Sequence, residues 1–264
     1  MNSNMQPDFY KHFHPDEHHF VDKALDWLYR ASEQHAVKLT DFLDPRQAYI
    51  LTTLAGRHLD AQVRLDGGYE NAERKRAWIA PDYMDPDGAD FQLSVLSITS
   101  DDDQFAALEH GDFLGALLGL GLKRDKLGDL HLGSEQCHCV VASEIADYFR
   151  LQLQQVHRAH VHTELLPIER LQPVLQTLEE MNLSVASMRM DGIVSDVYRL
   201  SRAKVLPPIK NGRCRINWKV EEDPSKPLKS GDVVSFQGFG RFRVLEVEGE
   251  TKKGRIRLKI GKFV

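Results

Sequence analysis

Hydrophobic positions in the first part of the chain recur at helical spacing. Between Pro15 and Gln34 they mark one helix face, formed by Phe20, Ala24, Trp27, Leu28 and Ala31. Asp44 followed by Pro45 is the N-cap and first-turn pair of a second helix. Its apolar positions are Ile50, Leu51, Leu54 and Leu59. The pattern therefore predicts a mostly helical N-terminal domain over residues 1–76, with a turn at Asp66-Gly67-Gly68.

The next stretch, residues 77–166, changes several times between strand and helix periods. Short apolar or alternating runs predict strands at Phe91–Ile98, Leu127–Leu132, Cys137–Ala142 and Ala159–Leu166. Helical spacing predicts helices at His110–Leu122 and Glu144–Gln155. The resulting order, βαββαβ, is typical of a ferredoxin-like or RNA-recognition-like sandwich. The predicted fold class is therefore α+β.

The last third of the chain is predicted to follow a connector at residues 167–183, with a helix over Glu169–Asn182. In residues 184–264, Arg189-Met190-Asp191 opens a helix whose apolar face holds Ile193, Val194 and Val197. A second helix is expected to begin after Ser201 as N-cap and to end at Gly212 in a left-handed conformation. Cys214–Val220 alternates as one strand, with Arg215, Asn217 and Lys219 on the same face.

Charge separates this last unit from the rest of the chain. Residues 184–264 hold 18 Lys and Arg against 9 Asp and Glu, a net charge of +9. Residues 1–183 hold 16 against 30, a net charge of −14. Clustered cations release the counterions of phosphates and so favour nucleic-acid binding, whereas the simpler interpretation is a solvated basic surface. The acidic body is expected to avoid wide RNA contact and to offer a surface for a protein partner.

The cations of the last unit fall on adjoining edges of two helices and a strand. Such an arrangement is suited to the sugar-phosphate backbone of a folded RNA, which is recognised largely by shape. The candidate RNA-binding residues of this unit are Arg189, Asp191, Arg199, Ser201, Arg202, Lys204, Lys210, Arg213, Arg215, Asn217 and Lys219. Asp191 is expected to pair with a neighbouring arginine and orient it. Lys123 and Arg124 are a second candidate contact, for which the alternative is a helix end carrying cations.

The same residues resemble a known motif. The order Arg-x-Asp, Ser-Arg, Ile-Lys-x-Gly-x-x-x-Ile-Asn and Gly231-Asp232-Val233-Val234 resembles the alpha-L RNA-binding motif, described in ribosomal protein S-four and recurrent in pseudouridine synthases and tyrosyl-tRNA synthetases. The tail adds Gly238-Phe239-Gly240-Arg241-Phe242 and Thr251-Lys252-Lys253-Gly254-Arg255. With the inner motifs at residues 67–70, 72–76 and 121–129, the whole chain is similar to the YlmH-type family of bacterial RNA-binding proteins.

This resemblance implies a ribosome-associated role. Relatives bind the large subunit near its intersubunit face and contact ribosomal RNA and tRNA, and some act on stalled complexes that still hold peptidyl-tRNA. One departure concerns the second helix of the motif, which usually runs unbroken. Here Pro207 and Pro208 remove two amide donors, so a short or broken helix is expected. An RNA-modifying enzyme with its site in residues 78–166 and a cell-division adaptor with secondary RNA binding are the two alternatives.

The remaining expectations concern chemistry and location. No nucleophile motif can be recognised, and we expect a protein without catalytic residues or cofactor, monomeric when free. Cys137 and Cys139 do not have the usual zinc-ligand spacing, so core thiols are expected rather than a metal site. With Cys214 they are the only cysteines, and no apolar run is long enough for a membrane span. A cytoplasmic location is expected.

Overall fold

The computed structural model describes residues 10–57, 60–174, 177–251 and 254–263. Within these ranges the chain forms six α-helices and fifteen β-strands, which confirms the α+β class. It divides into two compact units. One comprises Asp16–Val174, and the other comprises Leu175–Val264 with Met1–Pro15. None of the described helices is long and apolar enough to cross a membrane.

The first domain of the larger unit packs two helices on a small antiparallel sheet. Its elements are α1 (His18–Gln34), β1 (Lys38–Leu43), α2 (Pro45–Ala55), β2 (Ala61–Asp66) and β3 (Lys75–Pro81), with strand order β1-β3-β2. Both predicted helices are present. Helix α2 begins with a capping box, in which the Asp44 carboxylate accepts from the Gln47 N–H at 2.8 Å. It ends at Ala55, and Leu59 lies outside the described residues.

The prediction of a mostly helical N-terminal domain was wrong, because three strands had been missed. The central strand β3 is buried along almost its whole length, so it shows no alternation for a period search to detect. Strand β1 is irregular, with a shift in register between Leu39 and Phe42. The predicted boundary at residues 76 and 77 falls inside β3, which continues to Pro81.

The second domain has the predicted βαββαβ order. It comprises β4 (Leu93–Thr99), α3 (His110–Gly119), β5 (Leu127–Leu132), β6 (Gln136–Ala142), α4 (Ser143–Gln152) and β9 (His162–Pro167), with a small hairpin of β7 (Gln155–Val156) and β8 (Ala159–His160) before β9. The antiparallel sheet has the order β5-β6-β4-β9. Both helices cover the sheet face that carries Leu96, Cys139 and Val141. This is the sandwich arrangement expected from the sequence.

The smaller unit places two short helices on one face of a six-stranded antiparallel sheet. The helices are α5 (Met190–Tyr198) and α6 (Arg202–Lys210). The strands are β10 (Leu178–Val185), β11 (Cys214–Ile216), β12 (Lys219–Val220), β13 (Val233–Phe236), β14 (Gly240–Glu250) and β15 (Ile256–Phe263), in the order β10-β15-β14-β13-β11-β12. The core between helices and sheet is apolar and includes Ile193, Val205, Phe236, Phe242 and Leu258.

The predicted connector helix over Glu169–Asn182 was wrong. Its first residues form a single 3-10 turn at Ile168–Arg170, and Leu178–Val185 is strand β10. Met181, Leu183 and Val185 alternate toward the core, and the whole strand pairs with β15. This partner lies about 80 residues further along the chain. The sequence near β10 therefore carries no signal of the pairing that stabilises the strand. The unit's sheet therefore begins before the predicted boundary at residue 184.

Candidate nucleic-acid interface

The connection between α5 and α6 exposes the first group of predicted cations. Arg199 ends α5 in the left-handed conformation, with φ at 53°. Ser201 occupies the predicted N-cap position of α6 through its backbone carbonyl, which accepts from the Lys204 and Val205 N–H groups, and its hydroxyl does not cap the helix. Arg202 then starts α6, with its guanidinium beside the first turn of α5 at Gly192.

Helix α6 is continuous over Arg202–Lys210 although it contains Pro207 and Pro208. The helix is short, as expected, but it is not broken. It ends in a Schellman motif, in which the Gly212 N–H donates to the Ile209 carbonyl and the Arg213 N–H to the Pro208 carbonyl, both at 3.0 Å. Gly212 has φ at +69°, as the predicted left-handed cap requires. This turn sends the chain directly from α6 into β11.

A cleft of about 440 Å³ opens beside this turn. Arg213, Arg215, Ser235, Gln237 and Arg241 line it together with backbone of three glycines, and no acidic residue is among the described residues of its lining. The strand register explains the grouping. Ser235 of β13 lies directly opposite Arg215 of β11 and Arg241 of β14, so the three side chains form one row across the sheet. Glu222 lies near Gly212.

Six of the predicted cations of this unit face solvent. Arg199, Arg202, Lys204, Lys210, Arg213 and Arg215 are all exposed. The salt bridges among the described residues of this unit join other pairs. Exposed guanidinium and ammonium groups such as these are accessible to an approaching phosphate. The structure therefore brings these six predicted residues to the surface of one small domain.

Three predicted residues have structural partners instead. Arg189 forms a bidentate pair with buried Asp191 at 3.1 and 2.9 Å, as expected for Asp191. This hydrogen bonding holds the pKa of the Asp191 carboxyl below its usual range. Asn217 uses its side-chain amide to bridge Asp232 and the Val233 N–H, both at 2.9 Å.

The predicted single strand Cys214–Val220 was wrong. Asn217 and Trp218 both have positive φ, 50° and 65°, and form the two-residue turn of a hairpin between β11 and β12. Lys219 consequently lies opposite Ile216 rather than on the face of Arg215. Arg215 keeps its predicted outward direction, whereas Asn217 and Lys219 no longer extend its row.

In the larger unit, Arg124 is half-buried. Its guanidinium donates to the Leu127 and Gly128 carbonyls at 2.6 and 3.0 Å, and burial, with the nearby Arg74, lowers its pKa to about 10. The neighbouring Lys126 pairs with Asp41 at 2.6 Å and with Glu144 at 3.3 Å. Of this basic segment, Lys123 alone is exposed. RNA contact by Lys123 and Arg124 stays a prediction. The two hydrogen bonds of Arg124 to backbone carbonyls give this residue a structural role.

The carboxylate of Asp129 connects the inner motifs at residues 67–70, 72–76 and 121–129. Its carboxylate accepts from the Tyr69 hydroxyl at 2.9 Å, the Glu73 N–H at 2.6 Å and the Arg74 N–H at 3.2 Å. Arg74 in turn donates to the carbonyls of Leu127 and of Phe42 in β1, both at 3.0 Å. The residues that looked like sequence motifs are therefore the hydrogen-bonded joint between the first and second domains.

That joint covers the sheet face on which RNA-recognition sandwiches stack bases. The residues of β4 and β6 on this face, Val95, Ser97, His138 and Val140, are all buried. Phe42 packs against Val140 and Ala142. The chain beyond β9 closes the rest, since the Gln172 and Val174 N–H groups donate to Nδ1 of His138 and His131, each at 3.2 Å. The second domain thus lacks an open platform on this face.

Sequence reasoning missed Arg241 as a member of the cationic row. The local signal is the run Gly238-Phe239-Gly240-Arg241. This run belongs to the tail motif, but the motif alone does not mark Arg241 as an RNA-binding residue. Its position beside Arg215 depends on the register of β11, β13 and β14 and cannot be read along the chain. Lys252 and Lys253 of the tail motif lie outside the described residues.

Comparison with known proteins gives two family matches, one to each domain of the larger unit. Residues 16–84 match the family described as "YlmH, N-terminal", and residues 86–170 match "Putative RNA-binding domain in YlmH". Ribosome-associated protein quality control protein P2 of Bacillus subtilis (strain 168) is 39% identical over 251 residues, 95% of this chain and 97% of that protein. The solved structure of cell division protein ylmH from Streptococcus pneumoniae, at 24% identity, shares the fold with a TM-score of 0.53 over 61% of this chain and 98% of that one. The chain therefore belongs to the YlmH family.

Proposed function

We propose that this protein binds the RNA of the large ribosomal subunit and tRNA through its C-terminal unit, acting in ribosome-associated quality control on stalled peptidyl-tRNA complexes. The observation that carries the proposal is the cleft lined by Arg213, Arg215 and Arg241, in a small unit whose other predicted cations, Arg199, Arg202, Lys204 and Lys210, are exposed. In this proposal the two helices and the hairpin serve as an alpha-L RNA-binding domain.

The arrangement is suited to recognising the shape of a folded RNA rather than its base sequence. The cations come from a helix start, a helix end and neighbouring strands, so they are not aligned along a single element. Phosphate contacts of this kind fix position and orientation without reading bases. The relative in Bacillus subtilis is named for ribosome-associated quality control, and its match over almost the full length of both proteins supports the same setting here.

We also propose that the protein works without covalent catalysis by its thiols. Cys137, Cys139 and Cys214 are all buried. Burial raises the pKa of Cys137 and Cys214 to about 12 and raises that of Cys139 as well, so the reactive thiolate is scarce at neutral pH. These side chains fill the cores of the two units.

The direct test is sedimentation of the full chain with purified large ribosomal subunits. We expect co-migration at low salt that is lost as salt is raised, because displaced counterions drive the binding. Addition of peptidyl-tRNA to the subunits should strengthen it. Free migration at every salt concentration would contradict the proposal and would favour the division-adaptor alternative. A missing base modification in RNA from cells lacking the protein would instead favour the enzyme alternative.

A further inference from the structure

The tip of the β13–β14 hairpin carries an exposed aromatic ring. Phe239 is 45% exposed, although phenylalanine is normally a core residue. It stands between Gly238 and Gly240, whose φ values of +86° and +113° allow the tight turn. An added Cβ at Gly238 would meet no atom within 4 Å, so the backbone beside the ring is open to an approaching molecule.

The ring is nevertheless held firmly from beneath. It stacks on buried Phe236 with a centroid distance of 4.9 Å and an interplanar angle of 19°. Tyr198 of α5 supports it from a second direction at 5.7 Å. The Phe239 N–H also donates to the Phe236 carbonyl at 3.0 Å. An aromatic ring that is rigid on one face and exposed on the other can stack on a flat ligand at little cost in side-chain entropy.

The position of the ring suggests what that ligand is. Phe236, Gly238 and Gly240, the neighbours of Phe239, belong to the lining of the cleft that holds Arg213, Arg215 and Arg241. A phosphate bound in this cleft would bring its own nucleotide next to the hairpin tip. Cations that hold the backbone beside an aromatic face that receives a base are the combination used for unpaired nucleotides.

We propose that Phe239 is a stacking platform for an unpaired nucleobase of the RNA whose phosphates occupy the cleft. The site then takes a bulged or looped nucleotide rather than a fully paired helix. This inference rests on the proposed function and narrows it, since it names the form of RNA that the basic surface selects. The flat π face accepts any base, so selectivity is for an unpaired nucleotide and not for a sequence.

The test compares two RNA hairpins with identical stems, one of which carries a single bulged adenosine. Binding of the full chain is followed by fluorescence anisotropy over a range of salt concentrations. The parent should prefer the bulged RNA. Phe239→Ala should weaken binding of the bulged RNA roughly 5- to 150-fold, and its affinity for the paired RNA and its salt slope should not change.

Further variants keep the result interpretable. Phe239→Leu retains an apolar contact on Phe236 without a π face and should behave as Phe239→Ala does, whereas Phe239→Trp should retain the preference. Tyr29→Ala removes another exposed aromatic ring, in the other unit, and should have no effect. Unchanged binding of bulged RNA by Phe239→Leu and Phe239→Ala, or an equal loss on both RNAs, would overturn the inference. If the parent binds neither these hairpins nor large subunits, the proposed function itself fails.

Discussion

Removal of the three arginines from the cleft should change the salt dependence of RNA binding in a predictable way. The variant carries Arg213→Gln, Arg215→Gln and Arg241→Gln. If each guanidinium contacts one phosphate, each lowers the slope of log affinity against log salt by about 0.7 to 0.9, and the three together by about 2 to 3. Between about 50 and about 200 mM salt, the affinity ratio of parent to variant should then shrink roughly 20- to 40-fold.

The assay is a titration of a structured ribosomal RNA fragment with the full chain at several salt concentrations. Surface substitutions of this kind usually change the free energy of unfolding by no more than about 0.5 kcal/mol, so the variant should fold. The matched control replaces the exposed Arg30, Arg64 and Arg150 of the larger unit with glutamine, an equal change in charge. A control whose slope falls as far as that of the cleft variant would refute the assignment, because net charge alone would then explain the effect.

The other predictions concern the scaffold. Asp129→Asn places an amide where three donors converge and should lower the free energy of unfolding by about 3 kcal/mol in urea titration. Gly212→Ala should cost about 1 to 2 kcal/mol, since φ is +69°, whereas Gly115→Ala in the open middle of α3 should stabilise by about 1 kcal/mol. Burial lowers the pKa of His131 and His138, so the unfolded state binds more protons in acid and stability should fall below about pH 6.5. Replacing both with asparagine should flatten that decline, and an unchanged pH profile would show that other groups cause it.

The parts of the fold that were predictable are those whose signals are local. The α2 capping box, the apolar face of α5 and the order of the second domain all depend on residues within one or two turns of each other. Strand β10 was not predictable, because its stabilising partner β15 is distant in sequence. Strand β3 was missed because a strand buried along almost its whole length has no alternating face.

Of the candidate RNA-binding site, only the positive charge could be predicted from the sequence. Arg199, Arg202 and Arg213 were identified as exposed cations, and they are exposed. Arg124 shows the limit of such reasoning, since a cation that donates to two backbone carbonyls looks the same in sequence as one that faces solvent. Arg241 shows the opposite error, because strand register alone places it beside Arg215. Burial and register are properties of the folded chain, and sequence spacing contains neither.

The central claim is that RNA contacts the C-terminal unit, although the family description of an RNA-binding domain belongs to residues 86–170. Ultraviolet cross-linking of the full chain to large ribosomal subunits, followed by mass-spectrometric mapping of the cross-linked peptides, tests this directly. We predict cross-links in peptides covering residues 199–215 and 235–243, with Phe239 among the modified residues. Cross-links confined to residues 86–170 would contradict the account.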